Sequence, residues 1–249
     1  MRAGVFDSGV GGLSVVRSLL SHKLFDEIIY YGDTARVPYG VKDEDTIIRY
    51  SLDALKFFKN FKIDVLICAC NSVSSYAIPK LREKAPFPVF GVIEPGVLAL
   101  KQKLKNTNSP ILILGTKATV KSEKYQDLLK GFGYKNVSAL APSLFVPIVE
   151  EGLLEGAVLN QVMEHYFSKV KEDPKAIILG CTHFPLIQKQ IQAYFPNALL
   201  IHSGEAIVEH LNNSLNISPS KKDTNLKLFA SESPENLKKM ADFWLDLKN

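Results

Sequence analysis

One sequence feature limits what this chain can fold into: a short apolar run that stops abruptly on reactive side chains. Residues 177–180, Ile-Ile-Leu-Gly, have the length and composition of a buried parallel strand. Cys181, Thr182 and His183 come directly after it, shortly before a proline that can open a helix. Open parallel sheets bind ligands beyond the carboxyl ends of their strands, so this stretch predicts part of a functional site.

The same arrangement occurs once more in the first half of the chain. The apolar run 65–69 ends on three polar residues, Cys70, Asn71 and Ser72. A strand followed by a turn and a helix precedes each cysteine motif, first from Ala3 and later from Pro110. This repeat predicts an α/β protein of two similar lobes, with mainly parallel central sheets related by a pseudo-twofold axis.

The repeat also suggests lobe boundaries. We expect the first lobe to comprise residues 1–94 and 209–249 and the second to comprise residues 95–208. A strand at 226–230 and an amphipathic helix at 234–247, with Trp244 in the core, would return the chain to the first lobe. The carboxyl ends of both sheets would then meet at one cleft. The residues of interest divide between its walls: Asp7 and Cys70 on the first lobe, and Glu150, Cys181 and His183 on the second.

Composition narrows the class of protein. The 249 residues are 46 % hydrophobic and 22 % charged, which is ordinary for a globular protein. The net charge of +4 comes from lysines and arginines spread along the chain without an aromatic or Arg-rich surface motif, so we expect no nucleic-acid partner.

No signal-peptide region or membrane-length apolar run is present, and we expect a cytoplasmic protein without a membrane partner. The odd number of cysteines argues against a disulfide framework, and we expect Cys68 to be core.

Two turns outside the cysteine motifs could contact a ligand. The glycine-rich turn at 7–12 lets the backbone approach a ligand, but its spacing does not match a dinucleotide fingerprint. Asp7 within it is either a helix cap or a site residue. The loop that contains Arg36, Tyr39 and Gly40 is rich in turn formers and is placed to act as a lid.

Turn and helix signals also predict local elements. Residues 94–96, Glu-Pro-Gly, suggest a break before a helix at about 97–104. Residues 115–119 suggest a turn before a helix at 122–130, and we expect a further helix at about 74–84 that contains Pro79.

Two opposed thiols suggest a specific chemistry. A free thiol has a pKa of about 8.5, so modest help from a neighbouring group makes it a usable proton donor or acceptor. Inverting a stereocentre needs a base on one face of a carbon and an acid on the other, which Cys70 and Cys181 would supply. Three alternatives stay open: inert buried cysteines, a thiol redox pair, and a small-anion or nucleotide-binding module on the glycine turn. A zinc site is disfavoured because Cys181 and His183 supply only two ligands.

The motifs as a set resemble those of the glutamate racemases, within the aspartate/glutamate racemase superfamily, across essentially the whole chain. They are Phe6-Asp7-Ser8-Gly9-Val10-Gly11-Gly12, Pro38-Tyr39-Gly40, Ala69-Cys70-Asn71-Ser72, Gly115-Thr116-Lys117-Ala118-Thr119 and Gly180-Cys181-Thr182-His183-Phe184-Pro185. The resemblance implies racemisation of glutamate without cofactor or metal, which would supply D-glutamate for peptidoglycan in a bacterial cytoplasm. It also implies a homodimer.

The resemblance further implies a role for individual residues. Cys70 and Cys181 would be the two acid/base residues, with Asp7 and His183 as their proton-handling partners and Glu150 assisting His183. The residues expected to bind substrate are Asp7, Ser8, Pro38, Tyr39, Gly40, Asn71, Ser72, Thr116, Thr119, Thr182 and His183. One position departs from the family pattern, because Ser72 stands where threonine is usual. The hydroxyl is retained and a methyl group is lost.

Overall fold

A computed structural model describes residues 1–215, 220 and 222–245. Its strands are β1 (Arg2–Asp7), β2 (Glu27–Gly32), β3 (Val65–Cys68), β4 (Val89–Gly91), β5 (Ile111–Gly115), β6 (Val137–Leu140), β7 (Ala176–Gly180), β8 (Leu199–His202) and β9 (Asn225–Ala230). Its α-helices are α1 (Leu13–Ser21), α2 (Glu44–Phe58), α3 (Asn71–Tyr76), α4 (Ile78–Lys84), α5 (Ile93–Lys103), α6 (Lys117–Lys121), α7 (Lys124–Gly131), α8 (Phe145–Glu150), α9 (Ala157–Phe167), α10 (Gln188–Tyr194), α11 (Ser203–Leu215) and α12 (Pro234–Leu245).

The strands form two sheets in which every pairing between neighbours is parallel. The first sheet has the order β4-β3-β1-β2-β9 and the second has the order β6-β5-β7-β8. The order β4-β3-β1-β2 matches β8-β7-β5-β6, so the two sheets are wound alike and β9 is an addition to the first. The predicted fold of two α/β lobes with parallel sheets is confirmed. Cys70 and Cys181 come after β3 and β7, which are equivalent strands.

The apolar runs form strands because they are buried on both faces by helices. Every residue of β3, β5 and β7 is buried. One core cluster continues from the first sheet to the second, and it includes Val5, Leu114 and Phe145. Trp244 of α12 belongs to this cluster and is 2 % exposed, as expected for a core residue.

The segment that returns to the first sheet is described in part. Strand β9 pairs with β2 along its whole length, from Asn225 opposite Glu27 to Ala230 opposite Gly32. Helix α12 is described as far as Leu245, and the last two residues of the predicted helix, 246 and 247, lie outside the described residues. The lobe boundaries at residues 94 and 208 stay a prediction. No helix of the described ranges has the length and apolar composition to cross a membrane.

Several local predictions were wrong at turns. Helix α5 begins at Ile93 and contains Glu94-Pro95-Gly96, which the sequence suggested as a break before a helix at 97. Proline is tolerated there because the first amides of a helix have no intrahelical acceptor in any case. The predicted turn at 115–119 contains the start of α6, whose first turn is capped by the side chain of Thr116.

Helix boundaries account for the other differences. The helix expected at 74–84 is two helices, α3 and α4, with Ala77 between them and Pro79 in the first turn of α4. The helix expected from Ser122 begins at Lys124, because Glu123 adopts a left-handed conformation with φ of 55°. Strand β6, with the sequence Val-Ser-Ala-Leu, has no buried residue and lacks the continuous apolar run of β3, β5 and β7.

Candidate active site

The carboxyl ends of both sheets border one cleft between the lobes. Its cavity has a volume of about 320 Å³. Most of the residues predicted from sequence line it: Ser8, Pro38, Tyr39, Gly40, Cys70, Asn71, Ser72, Thr116, Glu150, Cys181, Thr182 and His183. The other two, Asp7 and Thr119, are not in the lining and are 1 % and 0 % exposed. They lie behind the groups that face the cleft, where they can act only through those groups or after a movement.

The first wall carries Cys70 beside Asp7, because β1 and β3 are neighbours in the sheet. The Cys70 thiol donates a hydrogen bond to Ser8 Oγ at 3.5 Å. Asp7 Oδ2 accepts from the Gly9 amide at 3.0 Å, whereas Asp7 Oδ1 is buried and has no hydrogen-bond partner among the described residues. Helix α1 begins at Leu13 with Gly12 as its N-cap, so Asp7 is not a helix cap.

Burial determines the protonation state of Asp7 and Cys70 on this wall. Desolvation raises the pKa of Asp7 in spite of the Gly9 amide and the positive charge of His183, which both lower it. Desolvation and then the charge of Asp7 raise the pKa of Cys70 to about 12. Cys181 also contributes to this rise, so the two thiols are close enough for their charges to interact. At neutral pH the Cys70 side chain is therefore a protonated thiol and a potential acid.

The second wall holds Cys181 beside a histidine and a glutamate. His183 Nδ1 lies 3.7 Å from Cys181 Sγ, and His183 Nε2 lies 2.8 Å from Glu150 Oε1 at the end of α8. Burial lowers the pKa of His183, but the contacts with Cys181 and Glu150 outweigh it and raise the pKa to about 10. His183 is therefore an imidazolium at neutral pH, and it places a positive charge beside Cys181 Sγ. The Trp244 ring packs edge-on against His183, with centroids 5.6 Å apart.

Hydroxyl and amide groups join the two walls at the floor of the cleft. Ser72 Oγ of the first lobe and Thr116 Oγ1 of the second lie 2.9 Å apart. Thr119 holds Thr116 in turn, with its hydroxyl 3.0 Å away and its amide donating at 3.2 Å. The Asn71 side chain lines the floor beside them, and its Nδ2 is buried without a partner among the residues that are described. These groups can donate hydrogen bonds to an anionic ligand.

The loop after β2 covers one side of the cleft through Pro38, Tyr39 and Gly40. The Tyr39 hydroxyl donates to the carboxylate of Asp33, which is fully buried. Arg36 Nε donates to the same carboxylate at 2.6 Å, and Ser231 Oγ donates at 2.8 Å. Arg36 thus anchors the loop and is not part of the lining. Sequence reasoning missed Asp33 as a site-supporting residue, although its position after a strand was a usable signal.

The glycine-rich turn at 7–12 allows a close contact between the lobes. A Cβ atom added to Gly11 would lie 2.2 Å from Thr182 Oγ1 and 2.6 Å from the His183 ring. The first amides of α1 are already bonded, since Leu13 and Ser14 donate to the carbonyls of Val10 and Gly11. Glycine is needed here because the second lobe approaches so closely, which does not favour a phosphate-binding turn.

Two further features bear on the alternatives. All three cysteines are free thiols. In the described part of the chain, no cluster of three or more His, Cys, Asp or Glu residues is arranged to hold a metal ion. Sequence reasoning also missed an apolar part of the lining, since an apolar residue that faces a cleft has the same sequence signal as one that packs in the core. These residues are Val37, Val41, Pro142, Val146, Pro147 and Phe184.

Two similarly wound lobes that present thiols at equivalent strand ends of one cleft are in keeping with one class of protein, the isomerases. The chain belongs to the Asp/Glu/hydantoin racemase family, whose model matches residues 14–211. The family membership and the racemase class predicted from the motifs are confirmed.

Glutamate racemases from several organisms are similar to this chain over all or nearly all of their length. The glutamate racemase of a Nitratiruptor species is 65 % identical over 98 % of this chain and 96 % of its own. The crystal structure of glutamate racemase from Campylobacter jejuni has a TM-score of 0.97 and 55 % identity, and it covers 100 % of both chains. The structure of the Francisella tularensis glutamate racemase in complex with D-glutamate has a TM-score of 0.87 and 29 % identity, over 99 % of this chain and 94 % of that one.

Proposed function

We propose that this protein is a glutamate racemase that interconverts L- and D-glutamate with Cys70 and Cys181 as its two acid/base residues. One observation carries the proposal: each thiol follows an equivalent strand at the same cleft, and each has an ionisable neighbour that could exchange protons with it. Asp7 adjoins Cys70, while His183 and Glu150 adjoin Cys181. The names of the relatives at 50–65 % identity support glutamate as the substrate.

The reaction balances without a cofactor. A thiolate on one wall removes the Cα proton, and the electron pair left on carbon is stabilised by delocalisation into the carboxylate. The thiol on the other wall then donates its proton to the opposite face of the carbon. The product is the other enantiomer, the first cysteine is now a thiol and the second a thiolate. The reverse reaction exchanges these roles, so no oxidant, reductant or third reactant is consumed.

The weak acidity of the Cα proton is the main barrier to this chemistry. Donors arranged around the developing charge, in a cleft from which water is excluded, lower that barrier. We assign this role to the hydroxyl groups of Ser8, Ser72, Thr116 and Thr182. Closure of the loop that contains Tyr39 and Gly40 would remove water from the site.

The test is to incubate the purified protein with L-glutamate in deuterium oxide without added cofactor. Optical rotation should decay to zero while deuterium enters Cα, as measured by NMR, and L-aspartate in parallel should show neither change. Exchange with aspartate but not glutamate would contradict the assigned substrate. No change with either amino acid would contradict the racemase function.

The proposal includes a biological role and an assembly. We assign the enzyme to the cytoplasm, where D-glutamate would be supplied for peptidoglycan, and to a homodimer. Apolar side chains at the mouth of the cleft are suited to a contact between copies, since Val37 is 44 % and Val41 63 % exposed. Light scattering of the purified protein should give twice the mass of one chain. Cell fractionation and rescue of a strain that requires D-glutamate test the other two statements.

A further inference from the structure

A buried tyrosine of the second lobe reaches into the first lobe beneath the cleft. Tyr125, in the first turn of α7, is fully buried, and its hydroxyl donates a hydrogen bond to Asn71 Oδ1 at 2.7 Å. Asn71 begins α3, directly after Cys70. Tyr125 is absent from the sequence motifs and from the cleft lining, and its hydroxyl reaches the site through Asn71.

This hydrogen bond distinguishes the two ends of the Asn71 side chain. A side-chain amide has an acceptor oxygen and a donor nitrogen, which exchange places when the amide turns over. Tyr125 engages the oxygen, while Asn71 Nδ2 is buried without a hydrogen-bond partner in the described ranges. A buried unpaired donor is unfavourable, and a functional ligand is one of the accepted explanations for it. The oxygen is therefore occupied, and the nitrogen is the end of the side chain that can still take a hydrogen-bond partner.

The geometry around Tyr125 keeps its hydroxyl in place. Cβ atoms added to Gly96 and to Gly180 would lie 3.5 Å and 3.2 Å from the tyrosine ring, so the ring packs against both glycines. Gly180 immediately precedes Cys181. Burial also raises the pKa of the Tyr125 hydroxyl, which therefore keeps its proton at neutral pH and stays a donor.

We propose that Tyr125 is a positioning residue that locks the Asn71 amide with Nδ2 toward a carboxylate of the substrate. This inference rests on the proposed glutamate racemase function and deepens it. Without the tyrosine hydroxyl, the amide is free to turn over and to present its oxygen to an anion, which repels it. The loss concerns a group that binds the substrate in both the ground state and the transition state, so KM should change more than kcat.

The test compares Tyr125→Phe with Tyr134→Phe. Tyr134 is a matched control because it is buried in the same lobe, donates to the Leu104 carbonyl and lies outside the cleft lining. We expect Tyr125→Phe to raise KM for glutamate about tenfold, as for the loss of a hydrogen bond that supports a charged ligand, with kcat reduced less than about threefold. Calorimetric titration with D-glutamate should show a similar loss of affinity. Tyr134→Phe should leave KM unchanged although it also loses one buried hydrogen bond.

A double-mutant cycle separates positioning from general loosening of the lobe. In an Asn71→Ala background, Tyr125→Phe should change KM by less than about twofold, because the group on which the tyrosine acts is gone. A second tenfold rise in that background, or an equal rise in Tyr134→Phe, would overturn the inference. So would a normal KM and affinity in Tyr125→Phe when the wild-type protein racemises glutamate. If the wild-type protein does not racemise glutamate, the proposed function is overturned instead.

Discussion

The two walls of the cleft have equivalent places in the fold but different chemistry. Cys70 comes after β3, which pairs with β1. Cys181 comes after β7, which pairs with β5. Cys70 lies beside a serine hydroxyl and a carboxyl group whose pKa is raised by burial. Cys181 lies beside an imidazolium that is held by Glu150.

The difference shows that repetition of the fold supplies position, while the protonation state depends on neighbours. Asp7 comes from β1 of the same sheet, whereas Glu150 comes from the end of α8 and reaches Cys181 through His183. Burial raises the pKa of Cys70 to about 12, so we expect a protonated thiol on the first wall, whereas the second wall carries the positive charge of His183.

The largest effect should come from removing either thiol. Cys70→Ala and Cys181→Ala should each lower kcat/KM for racemisation by about a thousandfold or more, because a general acid or base contributes about that factor. Polarimetry with either enantiomer measures the loss. Cys68→Ala is the matched control, since this buried thiol is not in the cleft lining and should leave the rate almost unchanged. Full activity in either of the first two variants would refute the use of opposed thiols.

A smaller effect should come from the two proton-handling partners, and it should differ between the walls. Asp7→Asn and His183→Asn should each lower kcat by about a hundredfold, since the thiols remain but their proton transfer is unassisted. Each change should slow removal of the Cα proton from a different enantiomer. The kinetic isotope effects with Cα-deuterated L- and D-glutamate should therefore shift in opposite senses in the two variants. Equal shifts for both enantiomers in both variants would mean that the walls do not act separately.

A pH dependence of the rate is expected from His183 on the second wall. The pKa of His183 is raised from 6.5 to about 10, so the imidazolium is lost as the pH rises through about 10, and kcat/KM should fall there. The same shift contributes to folding stability fully below pH 6.5, and this contribution declines as the pH rises toward 10. Rate profiles and thermal unfolding between pH 6 and 11 measure both.

Glu150→Gln sharpens this prediction. It removes one of the two contacts that raise the pKa of His183, so the alkaline decline in kcat/KM should begin at lower pH. Because the Glu150 side chain is 43 % exposed, solvent weakens its influence, and kcat/KM near pH 8 should fall only about threefold to tenfold. An unchanged profile would show that Glu150 does not control the imidazolium.

The smallest effect should come from the floor that joins the walls. Ser72→Thr restores the usual residue of the family and keeps the hydroxyl 2.9 Å from Thr116, so KM should change less than about twofold. Ser72→Ala removes this hydrogen bond between the lobes and should raise KM several-fold. A larger effect of threonine than of alanine would mean that the methyl group, and not the hydroxyl, is decisive at this position.

Much of the site was predictable because it sits at strand ends. The runs before Cys70 and Cys181 are apolar throughout, and buried parallel strands direct the residues at their carboxyl ends into the cleft. The contacts between lobes were not predictable in the same way, since Tyr125 and Asn71 are 54 positions apart and neither periodicity nor spacing relates them. The Gly11 contact with Thr182 is another example, because a glycine in a turn does not reveal which surface approaches it.

Helix boundaries near proline and glycine were the weakest part of the prediction. Pro95 and Gly96 suggested a break, but a helix that begins at Ile93 accommodates a proline in its first turn at little cost. Strand β6 was not predicted, because its sequence Val-Ser-Ala-Leu lacks the continuous apolar run of β3, β5 and β7. At α5 the folded structure overrode the local preference for a break.

The addition of β9 to the first sheet has a consequence for the order of synthesis. All strands of the second sheet, β5 to β8, are synthesised before β9. The second sheet can therefore be complete while β2 is still an unpaired edge of the first sheet. An unpaired edge with the apolar sequence Ile28-Ile29-Tyr30-Tyr31 invites pairing with a neighbouring nascent chain. When β9 arrives it covers this edge and brings Lys227 to the new border of the sheet. A charged residue on an edge strand discourages further pairing, so this late strand also protects the finished protein from aggregation.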